Sequence, residues 1–128
     1  MKLLLDTHLL LWAAGMPGRL PRAAKKLIDD PDHALHFSSA SIWEIAIKRS
    51  LGRDDFTVDP RLLRRGLLDN GYTEIAVTSE HAITVDALPM LHKDPFDRIL
   101  VAQSMAEGAL LLTADAQIAR YEGPVKLV

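Results

Sequence analysis

Leu91-His92-Lys93-Asp94-Pro95-Phe96-Asp97-Arg98-Ile99-Leu100-Val101-Ala102-Gln103 sets two carboxylates at the mouth of a helix that is otherwise strongly apolar. Alone, the stretch has a purely structural reading. Asp94 is the N-cap, Pro95 the first helical residue, and Asp97 the N3 acceptor of a capping box. What gives it further meaning is the set of segments that the fold brings to the same helix mouth.

Working outward toward the C-terminus, the helix over residues 96–107 stops at Gly108, and 109–112 is a short apolar strand. Residues 115–120 read as a helical turn and 125–128 as a last strand. Toward the N-terminus, 79–86 is a short helix capped by Ser79, and 73–77 is a strand. A helix opening at Asp59-Pro60 and ending at Asn70-Gly71 turns Leu62, Leu63, Leu67 and Leu68 inward and Arg61, Arg64 and Arg65 outward. Ser38-Ser39-Ala40-Ser41 opens a helix that runs to residue 50 and closes at Gly52; a strand over 34–37 precedes it. Residues 21–29 have helical spacing and end in the Asp30-Pro31-Asp32 turn. Residues 8–14 form a short helix stopped by Gly15 and Pro17, and 2–5 is a buried strand ended by Asp6.

Strands that are apolar throughout and alternate with helices imply a parallel sheet covered on both faces. The predicted fold is therefore α/β, a three-layer α/β/α sandwich with right-handed crossovers. In 128 residues with no repeat or linker it makes one domain over 1–128. The chain has no cysteine, which excludes disulfides, thiolate metal sites and cysteine nucleophiles. Its apolar runs are too short to span a bilayer, and the N-terminus lacks the pattern of a signal peptide, so a cytoplasmic location is expected. The net charge of −2 announces no basic field for stoichiometric nucleic-acid binding. It is compatible with a nuclease whose acidic centre is neutralised by ions.

In a parallel sheet the C-terminal strand ends share one edge with the N-termini of the following helices, and ligands bind there. Asp6 follows the first strand. Glu44 is expected in the first turn of the helix after the second. Asp94 and Asp97 open the helix leading to the fourth strand, and Asp115 lies just beyond that strand. Carboxylates gathered so closely repel one another unless cations lie between them. Oxygen ligands without cysteine or a His-x-x-x-His pair suit Mg²⁺ or Mn²⁺ better than zinc, and such ions activate water for phosphodiester hydrolysis.

Each acid also has a structural reading. Asp6 caps the helix near His8. Glu44 completes a capping box with Ser41 or pairs with Lys48, although its neighbours in Ile42-Trp43-Glu44-Ile45-Ala46-Ile47 make an unpaired charge expensive. Asp94 caps its helix while Asp97 is the ligand, and Asp115 is an N-cap. Thr7, Ser39 and Thr113 lie beside these acids, where turn and cap roles compete with orienting a ligand. Of the histidines, only His8 and His92 fall near the proposed rim. The Arg61, Arg64 and Arg65 face and the Lys48-Arg49 pair are read as solvated, and Trp12 as core. The joint placement of the acids carries the inference.

Read together, these motifs resemble the PIN domain, and most closely the VapC-type ribonuclease toxins of type II toxin–antitoxin pairs. Leu-Leu-Leu-Asp6-Thr-His-Leu-Leu-Leu-Trp looks like the first-aspartate motif, and Ser38-Ser39-Ala-Ser-Ile-Trp-Glu44-Ile-Ala-Ile-Lys like the glutamate motif. Asp94-Pro-Phe-Asp97-Arg-Ile-Leu-Val-Ala-Gln and Leu-Leu-Thr113-Ala-Asp115 resemble the third and fourth. The resemblance covers the whole chain. It implies a mainly parallel five-stranded sheet in the order 3-2-1-4-5 and an endoribonuclease that uses Mg²⁺ or Mn²⁺. It assigns catalysis and metal binding to Asp6, Glu44, Asp97 and Asp115, and leaves open whether Asp94 is a further ligand. In the scheme it implies, Asp6, Glu44 and Asp97 hold the ion, with Asp115 contributing directly or through water. It further implies a homodimer and a VapB-like antitoxin partner.

Several alternatives compete. A haloacid-dehalogenase-like phosphatase needs an aspartate two residues after the first, where this chain has His8. A receiver domain needs an acceptor aspartate after the third strand and a later lysine, and neither is evident. An inactive PIN scaffold and a housekeeping RNA-processing nuclease share the fold and differ only in the use made of the acids.

Overall fold

Leu3, Leu4 and Leu5 are fully buried, and they divide between two cores. Leu3 and Leu5 join Leu9, Leu10, Phe37, Ile45, Phe56, Leu63, Leu67 and Leu112 on one face of the sheet. Leu4 points to the other face and packs with Leu100, Val101, Leu111, Ile118 and Tyr121. Strand residues alternate between faces, so an unbroken leucine run is buried only where helices cover both sides. Each such leucine contributes about 2 kcal/mol relative to exposure.

The computed structural model describes residues Met1–Val128. The strands are β1 (Lys2–Leu5), β2 (Ala34–Ser38), β3 (Thr73–Ile75), β4 (Leu110–Thr113) and β5 (Val125–Leu127). The helices are α1 (Thr7–Gly15), α2 (Arg22–Asp29), α3 (Ser39–Ser50), α4 (Pro60–Asp69), α5 (Ser79–Asp86) and α6 (Pro95–Glu107). The five strands lie in the order β3-β2-β1-β4-β5, and every pairing is parallel. The expected sheet, its order and the three-layer arrangement are all present. No helix is long and apolar enough to cross a membrane.

The departures from the sequence reading have local causes. On α4 only Leu63 and Leu67, one turn apart, are buried. Leu62 and Leu68, expected to point inward, are 63% and 40% exposed, because each stands about 100° round the helix from that buried pair. α5 is capped by Thr78 instead of Ser79: Thr78 accepts from the His81 backbone, and His81 returns the bond to the Thr78 N–H. β3 stops at Ile75, short of Val77. The helical turn expected over 115–120 is a 3-10 turn over Ile118–Arg120. Trp12, read as core, is only half-buried, packing on the first core with Arg19 over its ring. β4 extends to Thr113, one residue beyond the expected end, and this carries a hydroxyl to the carboxyl edge of the sheet. At the far end of α6, Gly108 adopts φ 65°, the left-handed conformation that favours glycine at a helix C-terminus.

Candidate active site

A cleft of about 150 Å³ opens at the carboxyl edge of β1 and β4, and its lining includes Asp6, Glu44, Asp94, Asp97 and Asp115. All five acids selected from the sequence therefore meet there. Lys48 is the only lysine or arginine in the lining, beside Thr7, His8 and His92.

The floor is built by the two strands. Asp6 directly follows β1 and its backbone N–H donates to the Leu112 carbonyl of β4 at 3.1 Å. Its Oδ1 caps α1 by accepting from Leu9 N at 2.9 Å, as the structural reading expected. Its Oδ2 takes the Thr113 hydroxyl at 2.6 Å, and the same hydroxyl oxygen accepts the Asp115 N–H at 3.0 Å. Thr113 thus ties the first acid to the last across adjacent parallel strands. Burial raises the Asp6 carboxyl above its ordinary value against the lowering effect of these hydrogen bonds and of His8, and Asp115 raises it further.

Glu44 differs from its sequence assignment. Ser38 is the N-cap of α3, accepting from Ala40 N, which puts Glu44 in the second helical turn. The capping box with Ser41 does not form, because Ser38 ends β2 in extended conformation and takes the cap position first. Glu44 is instead 2% exposed, deep in the cleft wall. Its Oε1 accepts from the Thr7 hydroxyl at 2.7 Å, and Thr7 Oγ1 lies 2.9 Å from Ser41 Oγ. Its Oε2 accepts from Lys48, the helical pairing anticipated from the sequence.

The mouth belongs to α6. Asp94 caps it, accepting from Phe96 N at 2.8 Å and Asp97 N at 3.2 Å, with Pro95 at the first helical position. Only this half of the expected capping box exists. Asp97 does not reach back to Asp94; its Oδ2 meets His92 Nε2 at 2.7 Å. Burial and the adjacent Asp94 charge push the Asp97 carboxyl up to about 6, with Glu44 adding to the rise and His92 opposing it. A ligand atom from each of His92, Asp94 and Asp97 lies within 4.8 Å of the other two. Asp6, Glu44 and Asp115 line the same cleft outside that tight triad. The exposed Asp115 carboxylate accepts from Gln117 N at 2.8 Å.

Two further residues escape sequence reasoning. Arg98 is buried, and its guanidinium donates to the Val85, Leu88 and Pro89 carbonyls and to the Tyr121 hydroxyl. Tyr121 in turn accepts from the His92 N–H at 3.2 Å and donates to the His92 carbonyl at 3.3 Å. This network holds the loop that presents His92 to Asp97. Its one trace in the sequence is a lone arginine beside Ile99, Leu100 and Val101. Ser39, considered beside the acids, instead accepts from Val77 N and lies outside the cleft lining.

The donor set fits a hard divalent cation. Five carboxylates face one ammonium, and burial, with a further contribution from neighbouring acids, raises the carboxyls of Asp6 and Asp97. Asp6, Glu44, Asp97 and Asp115 offer oxygens of the kind Mg²⁺ and Mn²⁺ take, with Asp94 and His92 at the mouth.

Comparison with known proteins bears on the family and the fold. The family model of the PIN domain matches residues 3–124. Ribonuclease VapC22 of Mycobacterium tuberculosis is 29% identical over 122 residues, covering 94% of this chain and 92% of that protein. Among solved structures, VapBC2 from Rickettsia felis bound to a DNA fragment from its promoter aligns with a TM-score of 0.72 at 14% identity, covering 99% of this chain and 98% of that one. A toxin–antitoxin complex from Klebsiella pneumoniae aligns at 0.63 and 19% identity, covering 96% and 94%. VapBC-1 from nontypeable Haemophilus influenzae aligns at 0.62 and 17%, covering 94% and 91%. At these identities the structural matches speak for the fold.

Proposed function

The chain belongs to the PIN domain family, and from that premise we propose that it is an endoribonuclease dependent on Mg²⁺ or Mn²⁺, the toxin of a VapBC-type pair acting in the cytoplasm. The observation that carries the proposal is the convergence of Asp6, Glu44, Asp97 and Asp115, from four separate segments, in one cleft with a single ammonium among them.

These four carboxylates hold the cation in this reading, while Asp94 fixes the helix end that carries Asp97. When bound there, a divalent cation supplies an activated water and neutralises charge on the leaving oxygen of a phosphodiester. The chain's own contribution is placement. Thr113 and the Leu9 N–H fix the Asp6 oxygens, Thr7 orients Glu44, and His92 orients Asp97. The positive end of α6 favours the ionised form of Asp97 once a cation relieves its neighbours. Cleavage of this type leaves a 5′-phosphate and a 3′-hydroxyl.

A protein partner is part of the proposal. Ala40, Trp43, Val77, Val85, Phe96 and Ile99 line an apolar groove of about 470 Å³. Trp43 is 63% exposed and packs edge-on to Phe96, whose backbone follows the acidic mouth. An exposed apolar groove of this kind marks a protein-binding surface. We assign it to an antitoxin, in keeping with the toxin–antitoxin complexes that share this fold. A homodimer is retained as part of the same proposal, to be read by light scattering.

Incubating the purified protein with a cellular RNA pool in Mg²⁺, Mn²⁺ or EDTA, beside Asp6→Asn, tests the activity. Discrete fragments that need the metal and fall at least about a hundredfold in the variant are expected. Undiminished cleavage in EDTA or by Asp6→Asn would refute the scheme. Folded protein that binds no metal and cleaves nothing would favour a binding module.

A further inference from the structure

We propose that Lys48 is a tethered counter-ion of the acid cleft: it pairs with Glu44, competes with a divalent cation for that carboxylate, and contacts the RNA phosphate once displaced. The inference rests on the reading of the cleft as a cation-dependent RNA site.

Lys48 sits one helical turn beyond Glu44, and its Nζ lies 2.5 Å from Glu44 Oε2. Pairs of this spacing are common on exposed helix faces, where water and salt leave them little weight. This one is different in its surroundings. The Lys48 side chain is only 18% exposed. Its ammonium also faces two aromatic rings, with Nζ 4.8 Å from the Phe56 centroid and 5.9 Å from that of Phe96. Phe56 belongs to the loop after α3, and Phe96 opens α6. The cation is therefore caught where three segments meet, by ring faces that attract it without removing its charge.

Both oxygens of Glu44 are engaged inside the protein, Oε1 by the Thr7 hydroxyl and Oε2 by Lys48. Placing a doubly charged ion on that carboxylate brings it against the ammonium, and the two repel. Glu44 then turns from Lys48, and the flexible four-carbon stem lets the ammonium move aside. The rings of Phe56 and Phe96 keep it at the cleft. The anion that arrives there with substrate is a phosphodiester, and lysine binds phosphate as a point charge. A lysine that served only to orient Glu44 would have the opposite effect on metal binding, since its loss would weaken the site.

The test is a calorimetric titration of Mn²⁺ alone into the wild type, Lys48→Met and Lys48→Arg, beside RNA cleavage kinetics at several salt concentrations. Lys48→Met is expected to bind Mn²⁺ about three- to tenfold tighter. Its KM for RNA should rise, with the slope of log KM against log salt reduced by about one. Lys48→Arg should keep Mn²⁺ affinity and KM within about twofold of wild type, and the salt slope near that of wild type, because it keeps the charge. Should Lys48→Met not fold, Lys48→Gln takes its place with the same expected direction. Unchanged or weaker Mn²⁺ binding without the ammonium would overturn the competition, while leaving the nuclease reading intact. A wild type that cleaves RNA with Mg²⁺ but loses no salt dependence in the variant would overturn the phosphate contact. Absence of Mn²⁺ binding in every variant would remove the cation reading itself, and this inference with it.

Discussion

The floor and the mouth of the acid cleft are built by different means. At the floor, Asp6 and Glu44 are 4% and 2% exposed, and threonine hydroxyls from the end of β4 and the start of α1 hold them. The Thr113 hydroxyl is placed by strand pairing, as Leu5 stands opposite Leu112 and the Asp6 N–H donates to the Leu112 carbonyl, while Thr7 is placed by the start of α1. At the mouth, Asp94 and Asp97 are partly exposed and depend on a helix cap, a histidine and a loop. Asp6 follows the sheet directly, and Glu44 is buried on α3 beside it. The mouth is held by a polar network that single substitutions can release, which separates the two experimentally.

The largest effect is expected from breaking the mouth's scaffold. Arg98→Met removes a buried guanidinium that donates to three carbonyls and the Tyr121 hydroxyl; the Val85 and Pro89 carbonyls keep backbone donors, while the Leu88 carbonyl loses its donor and the Tyr121 hydroxyl keeps only the His92 N–H. A loss of about 2–4 kcal/mol in unfolding free energy is expected, read from urea melts. The amides of residues 88–92 should also gain hydrogen exchange while those of β1 and β4 stay protected. Equal loss of protection in both regions would mean that floor and mouth are one unit.

Asp97→Asn sharpens the contrast electrostatically. The Asp97 carboxyl is raised to about 6, so the folded protein holds that proton more tightly than the unfolded chain does. The stability this group contributes is full below about pH 4 and is lost as pH rises through about 6. The metal-free wild type should therefore lose about 1–3 kcal/mol relative to Asp97→Asn between pH 4 and pH 7. Urea melts in EDTA at both ends of that range measure the difference. The variant is expected to be the stabler protein at pH 7 and a dead nuclease. Parallel pH profiles would show that Asp97 is not strained by its neighbours.

The smallest expected effect lies at the floor. Thr113→Val keeps the shape of the side chain and removes the hydroxyl shared by Asp6 and Asp115. Cleavage with Mg²⁺ should fall about tenfold, the usual scale for a residue that orients a metal ligand. Stability should change by about 1 kcal/mol, since the pairing of β1 with β4 survives. Full activity would show that the sheet alone positions Asp6.

Much of this was legible because the relevant signals are local or periodic. The leucine run before Asp6 has to be buried on both faces, which calls for a parallel sheet with helices on either side. The Asp94-Pro95 pair marks a helix start through cap chemistry alone. All five acids fell on one rim because strand ends and helix starts share it. What was not legible depended on competition for a partner. Ser38 and Ser41 both look like caps before Glu44, and only the end of β2 decides between them. Asp97 looks like a capping-box acceptor until His92, five residues earlier, takes its oxygen. Leu62 and Leu68 look as apolar as Leu63 and Leu67, but a helix has one inward face.

The sequence by itself determined the architecture, the family and the identity of the acids, because hydrophobic period and cap residues act over a few positions. The tertiary structure decided which atoms those acids meet. Thr113 on Asp6 spans 107 residues, and Phe56 and Phe96 reach Lys48 from separate segments. A hydrogen bond forms over a few ångströms in space, and only the packed sheet and helices bring such distant residues within that range.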